Sequence, residues 1–102
     1  MSEQQISHTV TVINDQGLHM RPADTLVQFA KNFAAQVVLV RGGDRFDAKS
    51  ILDVMALGAE KGSVLRLEAT GEDAEDAVRT LVEAFRTGFT GSTSSAGDEQ
   101  PR

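Results

Sequence analysis

Along this chain the apolar residues switch repeatedly between a spacing of two and a spacing of three or four, and that alternation narrows the fold more than any other feature. Ser7 to Ile13 repeats every second residue, with His8, Val10 and Val12 on one face and Thr9, Thr11 and Ile13 on the other, which predicts a half-covered strand. His8 lies near its open end and reads as a plain strand-edge histidine. Asn14-Asp15-Gln16-Gly17 is turn chemistry. Ala23, Leu26, Val27 and Ala30 then form a helical stripe, with Phe33 beyond it, and the helix runs to about Lys31 with Asn32 as a left-handed stop. A second strand is predicted from Ala35 to Arg41, a hairpin turn at Gly42-Gly43-Asp44 and a short return strand over Arg45 to Ala48. Ser50 with Asp53 resembles a capping box, which starts a brief helix from Ile51 to Leu57 closed by Gly58.

After the loop Lys61-Gly62-Ser63, Val64 to Thr70 alternates, with Leu65, Leu67 and Ala69 inward and Arg66 and Glu68 outward. Gly71 breaks that strand. Asp73 is placed to cap a long final helix marked by Ala74, Ala77, Val78, Leu81, Val82 and Phe85. The order β-α-β-β-α-β-α, with strands polar on one face, predicts an α+β, open-faced two-layer sandwich: a four-stranded antiparallel sheet covered on one face by three helices. Residues 1–88 form the domain. Beyond Gly88 the apolar period is lost, so residues 89–102 are expected to be a disordered C-terminal tail.

A chain of 102 residues holds a single core, and with five Phe and no Trp or Tyr that core must be mostly aliphatic. Without cysteine there is neither a disulfide framework nor a thiolate metal site, so the expectation is a cytoplasmic protein with no metal and no cofactor. No stretch approaches the length of a membrane span, so no membrane insertion is expected. The net charge of −5 argues against nucleic acid as a partner. The acidic group Glu72, Asp73, Glu75 and Asp76 has a structural explanation at a helix N-terminus, where carboxylates complement the macrodipole.

Chemistry concentrates in Gln16-Gly17-Leu18-His19-Met20-Arg21-Pro22-Ala23. His19 falls where strand chemistry has ended and a helix begins. The unpaired N–H groups of a first helical turn carry partial positive charge and form a receptor for an anion. An uncharged imidazole suits that place better than an imidazolium, and it keeps the lone pair a nucleophile needs. Once phosphorylated, the ring carries a dianionic group that Met20 and Arg21 at the helix start, and the Arg21 guanidinium in particular, can hold by charge-assisted hydrogen bonds. Pro22 is tolerated there because its missing N–H would have had no intrahelical partner.

Gly17-Leu18-His19-Met20-Arg21-Pro22-Ala23 resembles the active-centre signature of the histidine-containing phosphocarrier proteins (HPr) of the bacterial phosphoenolpyruvate-dependent phosphotransferase system. Lys49-Ser50-Ile51-Leu52-Asp53-Val54-Met55-Ala56-Leu57-Gly58 resembles the family's second signature, and the similarity covers about Ile6 to Phe85. The resemblance implies a monomeric, stoichiometric phosphoryl carrier rather than an enzyme. His19 would accept phosphate on Nδ1 from phospho-enzyme I and pass it to an enzyme IIA-type domain or a regulatory protein, with Arg21 steadying it.

Ser50 matches a position that a dedicated serine kinase, paired with a phosphorylase, modifies in some family members, a reading compatible with its capping role. Met20, Asp24, Ile51, Leu52 and Met55 are the expected docking residues, with at least one of the three on the short helix turned inward and at least one exposed. Met20 stands where smaller residues are common in the family, and Asp24 and Gln28 leave the first helix without added positive charge. A second reading from another class is a phosphorylation-independent module whose His19 loop binds a protein or a small anion. A sheet-surface RNA binder is disfavoured, because the outward face offers Thr9, Thr11, Arg66 and Glu68 rather than stacking aromatics.

Overall fold

The computed structural model describes residues 4–90. Its elements are β1 (Gln5–Thr11), α1 (Met20–Lys31), β2 (Gln36–Arg41), β3 (Asp44–Asp47), α2 (Ile51–Leu57), β4 (Val64–Thr70) and α3 (Ala74–Arg86). The strands form one four-stranded antiparallel sheet, as the alternating periods predict, and their order in it is β1-β4-β2-β3. Pairing puts Val10 opposite Leu65, and Leu39 opposite Leu67, so the inward residues of three strands lie in rows. On these rows pack Leu26, Val27 and Ala30 of α1, Val54 and Leu57 of α2, and Ala77, Leu81 and Phe85 of α3. Burying such aliphatic faces contributes roughly 1.5–3 kcal/mol per large side chain, which is what holds three helices on one face of the sheet.

The opposite face is less open than its alternation suggests. Glu68, expected to point to solvent, is only 8% exposed. It sits on a central strand, and its carboxylate accepts from Arg45 Nη1 at 3.0 Å and Arg66 Nε at 3.1 Å, so two long guanidinium side chains lie across it. Val38 and Val40 on the same face are buried with it.

Two capping expectations are corrected. Asn32 is right-handed, with φ −73° and ψ −9°, not a left-handed stop. The Asn32 and Phe33 N–H groups reach back to the Phe29 and Ala30 carbonyls, which tightens the last turn without a left-handed residue. Asp73 occupies the N-cap position of α3 but makes no side-chain cap there. Its carboxylate instead takes the Ala34 and Ala35 N–H groups at 2.9 and 2.8 Å, joining the loop between α1 and β2 to the start of α3. Those two bonds, that of Ala34 foremost, hold the Asp73 carboxyl below the ordinary value of 3.8.

The capping box at α2 is half formed. Ser50 Oγ accepts from Asp53 N–H at 3.2 Å, but Asp53 Oδ2 takes the Asp47 N–H at 2.9 Å rather than that of Ser50, which goes to the Asp47 carbonyl. Gly58 closes the helix in the left-handed conformation as expected.

The expected tail also starts too early. Phe89 is 8% exposed, packs edge-on against Phe85 with ring centroids 4.8 Å apart, and donates its N–H to the Ala84 carbonyl at 2.8 Å. A left-handed Gly88 followed by Phe89 at φ 60° folds the chain back onto α3, so the apolar ring is recovered into the core although it breaks the helical period. Residues 91–102 of the expected tail lie outside the described residues.

Candidate functional site: the His19 cleft

The segment that delivers His19 is fixed from both sides before the helix begins. Past β1, Val12 N–H bonds the Ser63 carbonyl at 2.9 Å and the Val12 carbonyl accepts from Gly62 at 2.7 Å. The Asn14 carbonyl then accepts the Gly17 N–H at 2.9 Å, closing the turn. Gly17 adopts φ 71° and lies flat against the Ala59-Glu60 backbone, where a Cβ would overlap the Ala59 carbonyl oxygen and come within 2.9 Å of Glu60 Cα. Leu18 donates its N–H to that same Ala59 carbonyl at 2.9 Å and buries its side chain in the core. Beside the turn Lys61 Nζ meets Asp15 Oδ1 at 2.9 Å, and this hydrogen-bonded cation holds the Asp15 carboxyl below its ordinary value.

With Gly17 and Leu18 pinned, His19 emerges exposed as the N-cap of α1, at φ −75° and ψ −172°. Its carbonyl accepts the first intrahelical bond, from Ala23 at 3.0 Å, while its imidazole makes no capping hydrogen bond. Pro22 has no N–H, so the unpaired donors of this helix start are those of Met20 and Arg21. No acidic residue stands in the first turn to compete for them. Pro22 and Ala23 are buried and anchor the turn, whereas Met20 and Arg21 face solvent. Among the described residues neither Arg21 nor Asp24 takes part in an ion pair, which leaves the guanidinium available to an anion.

His19, Met20, Arg21, Pro22 and Asp24 line one cleft, and its opposite wall is Asn14 with Gly88, Phe89 and Thr90. Four of the expected site residues, His19, Met20, Arg21 and Asp24, are thus brought together. Ser50, Ile51, Leu52 and Met55 are not in the cleft; they lie on α2, which packs beside α1. On α2 the expected division holds, with Ile51 partly buried against the core, Leu52 78% exposed and Met55 37% exposed. Met20, at 60% exposure, is the matching apolar residue on α1. Ser50 is half-buried at the N-cap of α2.

The far wall was missed by sequence reasoning. Asn14 gave only a turn signal, and nothing in the order of residues joins it to Gly88, whose carbonyl accepts its Nδ2 at 2.8 Å across 74 residues. Phe89 was the one available hint, a large apolar residue in an otherwise polar stretch. Among the described residues no three His, Cys, Asp or Glu side chains stand together as metal ligands, and no helix is long and apolar enough to cross a membrane.

Residues 6–87 match the family model described as "PTS HPr component phosphorylation site". The chain is 40% identical to the phosphocarrier protein HPr of Cupriavidus necator over 84 residues, 82% of this chain and 94% of that protein. It is 42% identical to the phosphocarrier protein HPr of Treponema pallidum over 81 residues, 79% of this chain and 92% of that one. Among solved structures, HPr-C-His from Thermoanaerobacter tengcongensis superposes with a TM-score of 0.81 at 36% identity, covering 85% of this chain and 98% of that one. The phosphocarrier protein HPr from Bacillus anthracis gives 0.76 at 33% identity, covering 79% and 96%.

Proposed function

Since this chain belongs to the HPr family of phosphotransferase-system phosphocarriers, which carry phosphohistidine stoichiometrically rather than catalyse, we propose that His19 is the residue that bears the phosphoryl group, on Nδ1. Family membership implies phosphotransferase-system partners such as enzyme I and enzyme II components. The finer reading is that His19 is loaded by phospho-enzyme I and discharged to an enzyme IIA-type domain or a regulatory protein.

The observation that carries this reading is an exposed imidazole without a capping bond, set at a helix N-terminus whose free donors and unpaired Arg21 line the same cleft. In the transfer, the Nδ1 lone pair of a neutral ring attacks phosphorus, the donor's P–N bond breaks as the new one forms, and the proton on Nε2 stays. The ring thereby gains positive charge and the phosphoryl group keeps its two negative ones. Such in-line transfer asks chiefly for positioning and charge stabilisation, which two backbone donors and one guanidinium supply.

Met20, Leu52 and Met55 are the apolar contacts we assign to partner docking, with Asp24 opposing acidic partners and Ile51 bracing α2 from beneath. Phosphorylation of Ser50 by a serine kinase would add roughly −1.5 to −2 charges on the docking helix and weaken the approach of an acidic partner. The carrier works as a cytoplasmic monomer whose folded unit includes Phe89.

Incubation with phosphoenolpyruvate and a bacterial enzyme I tests the assignment. The wild-type chain gains an acid-labile, base-stable phosphoryl adduct, and His19→Ala gains none. An adduct that persists in His19→Ala places the chemistry elsewhere, and no adduct on the wild type leaves a binding module.

A further inference from the structure

We infer that Asn14 is a positioning residue for His19, its Oδ1 accepting the ring N–H on Nε2, the nitrogen opposite the one that carries the phosphoryl group. The inference rests on His19 as phosphoryl acceptor and deepens it by assigning the acceptor for the other ring nitrogen.

The orientation of the Asn14 amide is set from behind. Gly88 offers a carbonyl, which only accepts, so the amide must turn its Nδ2 toward it, and the 2.8 Å bond is the result. That choice leaves Oδ1 as the atom for the remaining side. Among the described residues Oδ1 is the one buried side-chain polar atom without a hydrogen-bond partner, and Asn14 lines the same cleft as His19. A buried acceptor left unpaired is unfavourable, so an orphan beside a reacting group invites a donor.

The cleft limits which donor that can be. A phosphoryl dianion only accepts hydrogen bonds, so Oδ1 cannot serve the cargo. The Thr90 hydroxyl is already given to the Thr87 carbonyl at 2.9 Å. The charged groups lining the cleft are Arg21 and Asp24 on α1; Asp15 and Lys61, at the turn before it, are paired to each other, and the 88–90 segment brings none. Arg21 and the two backbone donors suit the phosphoryl group. The ring N–H remains, and it becomes a better donor on phosphorylation, when the imidazole acquires positive charge. An acceptor held there keeps Nδ1 turned toward the helix start and stabilises the charged ring.

NMR titration of the His19 ring nitrogens in the full chain, phosphorylated with phosphoenolpyruvate and enzyme I, tests this. Asn14→Ala is expected to lower the pKa of the phosphorylated ring by about half to one pH unit, the scale of one hydrogen bond. Asn14→Asp keeps an acceptor oxygen but cannot donate to Gly88, so it does not lower that pKa. In the wild type the Asn14 carbonyl carbon shifts with the same midpoint as the ring. An unmoved pKa in Asn14→Ala, a fall of equal size in both variants, or a silent Asn14 carbon overturns the inference and leaves Asn14 a clasp to Gly88. If His19 takes no phosphate, the carrier reading fails separately, and the same titration on the free imidazole, with the same signs expected, still decides the contact.

Discussion

Gly17→Ala is the substitution in which the stability of the domain and the geometry of its site meet. The backbone at Gly17 has φ 71°, where an L side chain costs about 1–2 kcal/mol. The new Cβ would also run into the Ala59 carbonyl and Glu60 Cα, an overpacking that costs about 1–3 kcal/mol in well-packed surroundings. The chain can relieve the overlap only by lifting off Ala59, which gives up the Leu18 N–H bond to that carbonyl and a further roughly 0.5–1.5 kcal/mol. Allowing for overlap between these costs, the expected loss is about 2–5 kcal/mol against a total of about 5–15 for a domain of this size. Gly62→Ala is the control, because Gly62 has φ 89° with nothing within 4 Å of its Cβ position, so only the backbone cost of about 1–2 kcal/mol applies. Urea unfolding of the two variants measures the difference directly. Phosphorylation by enzyme I should slow in Gly17→Ala and not in Gly62→Ala, since only the first displaces the segment that presents His19. Equal losses in the two variants, or a loss below about 1 kcal/mol at Gly17, would refute the close approach as the reason for glycine there.

Arg21→Glu should leave the urea midpoint nearly unchanged, because an exposed charge reversal usually stays within about 0.5 kcal/mol, while slowing phosphoryl transfer by about 100-fold or more; stopped-flow transfer at the wild-type rate removes Arg21 from the reaction. Phe89→Ala should cost about 3–5 kcal/mol by thermal or urea unfolding, the usual loss for a buried ring, and a change near zero would take Phe89 out of the core. Asp73 predicts a pH signature. Its folded carboxyl titrates below the ordinary 3.8, so the unfolded chain binds more protons in that window and stability rises with pH there. The contribution is complete above 3.8 and lost as pH falls through the depressed folded value. The gap in urea midpoint between wild type and Asp73→Asn should therefore be steady from about pH 5 to 8 and narrow below the ordinary carboxyl range; a gap that stays constant into strong acid refutes the assignment.

Legibility from sequence followed the range of the interactions concerned. Strand and helix periods, the Gly58 stop and the Ser50 hydroxyl cap depend on neighbours within a few residues, so they could be read along the chain and stand as expected. His19 and Arg21 were legible for the same reason, since a helix start is a local event and its free donors follow from backbone geometry alone. Asp73 misled because its local role and its actual one compete. A carboxylate that could cap its own helix gains more by taking two N–H groups of the loop between α1 and β2. Glu68 misled because alternation reports a side chain's direction, not what then lies over it.

The order of residues by itself determined the elements, the apolar faces that had to be joined, and the placing of a nucleophilic imidazole at a helix start. Only the tertiary structure decided what surrounds that imidazole: the Ala59 carbonyl beneath Gly17, and the Asn14, Gly88 and Phe89 wall that closes the cleft from the other end of the chain. Hydrogen bonds and packing between residues dozens of positions apart exist only once α3 has packed on β1 and brought those residues together, so no local period can announce them.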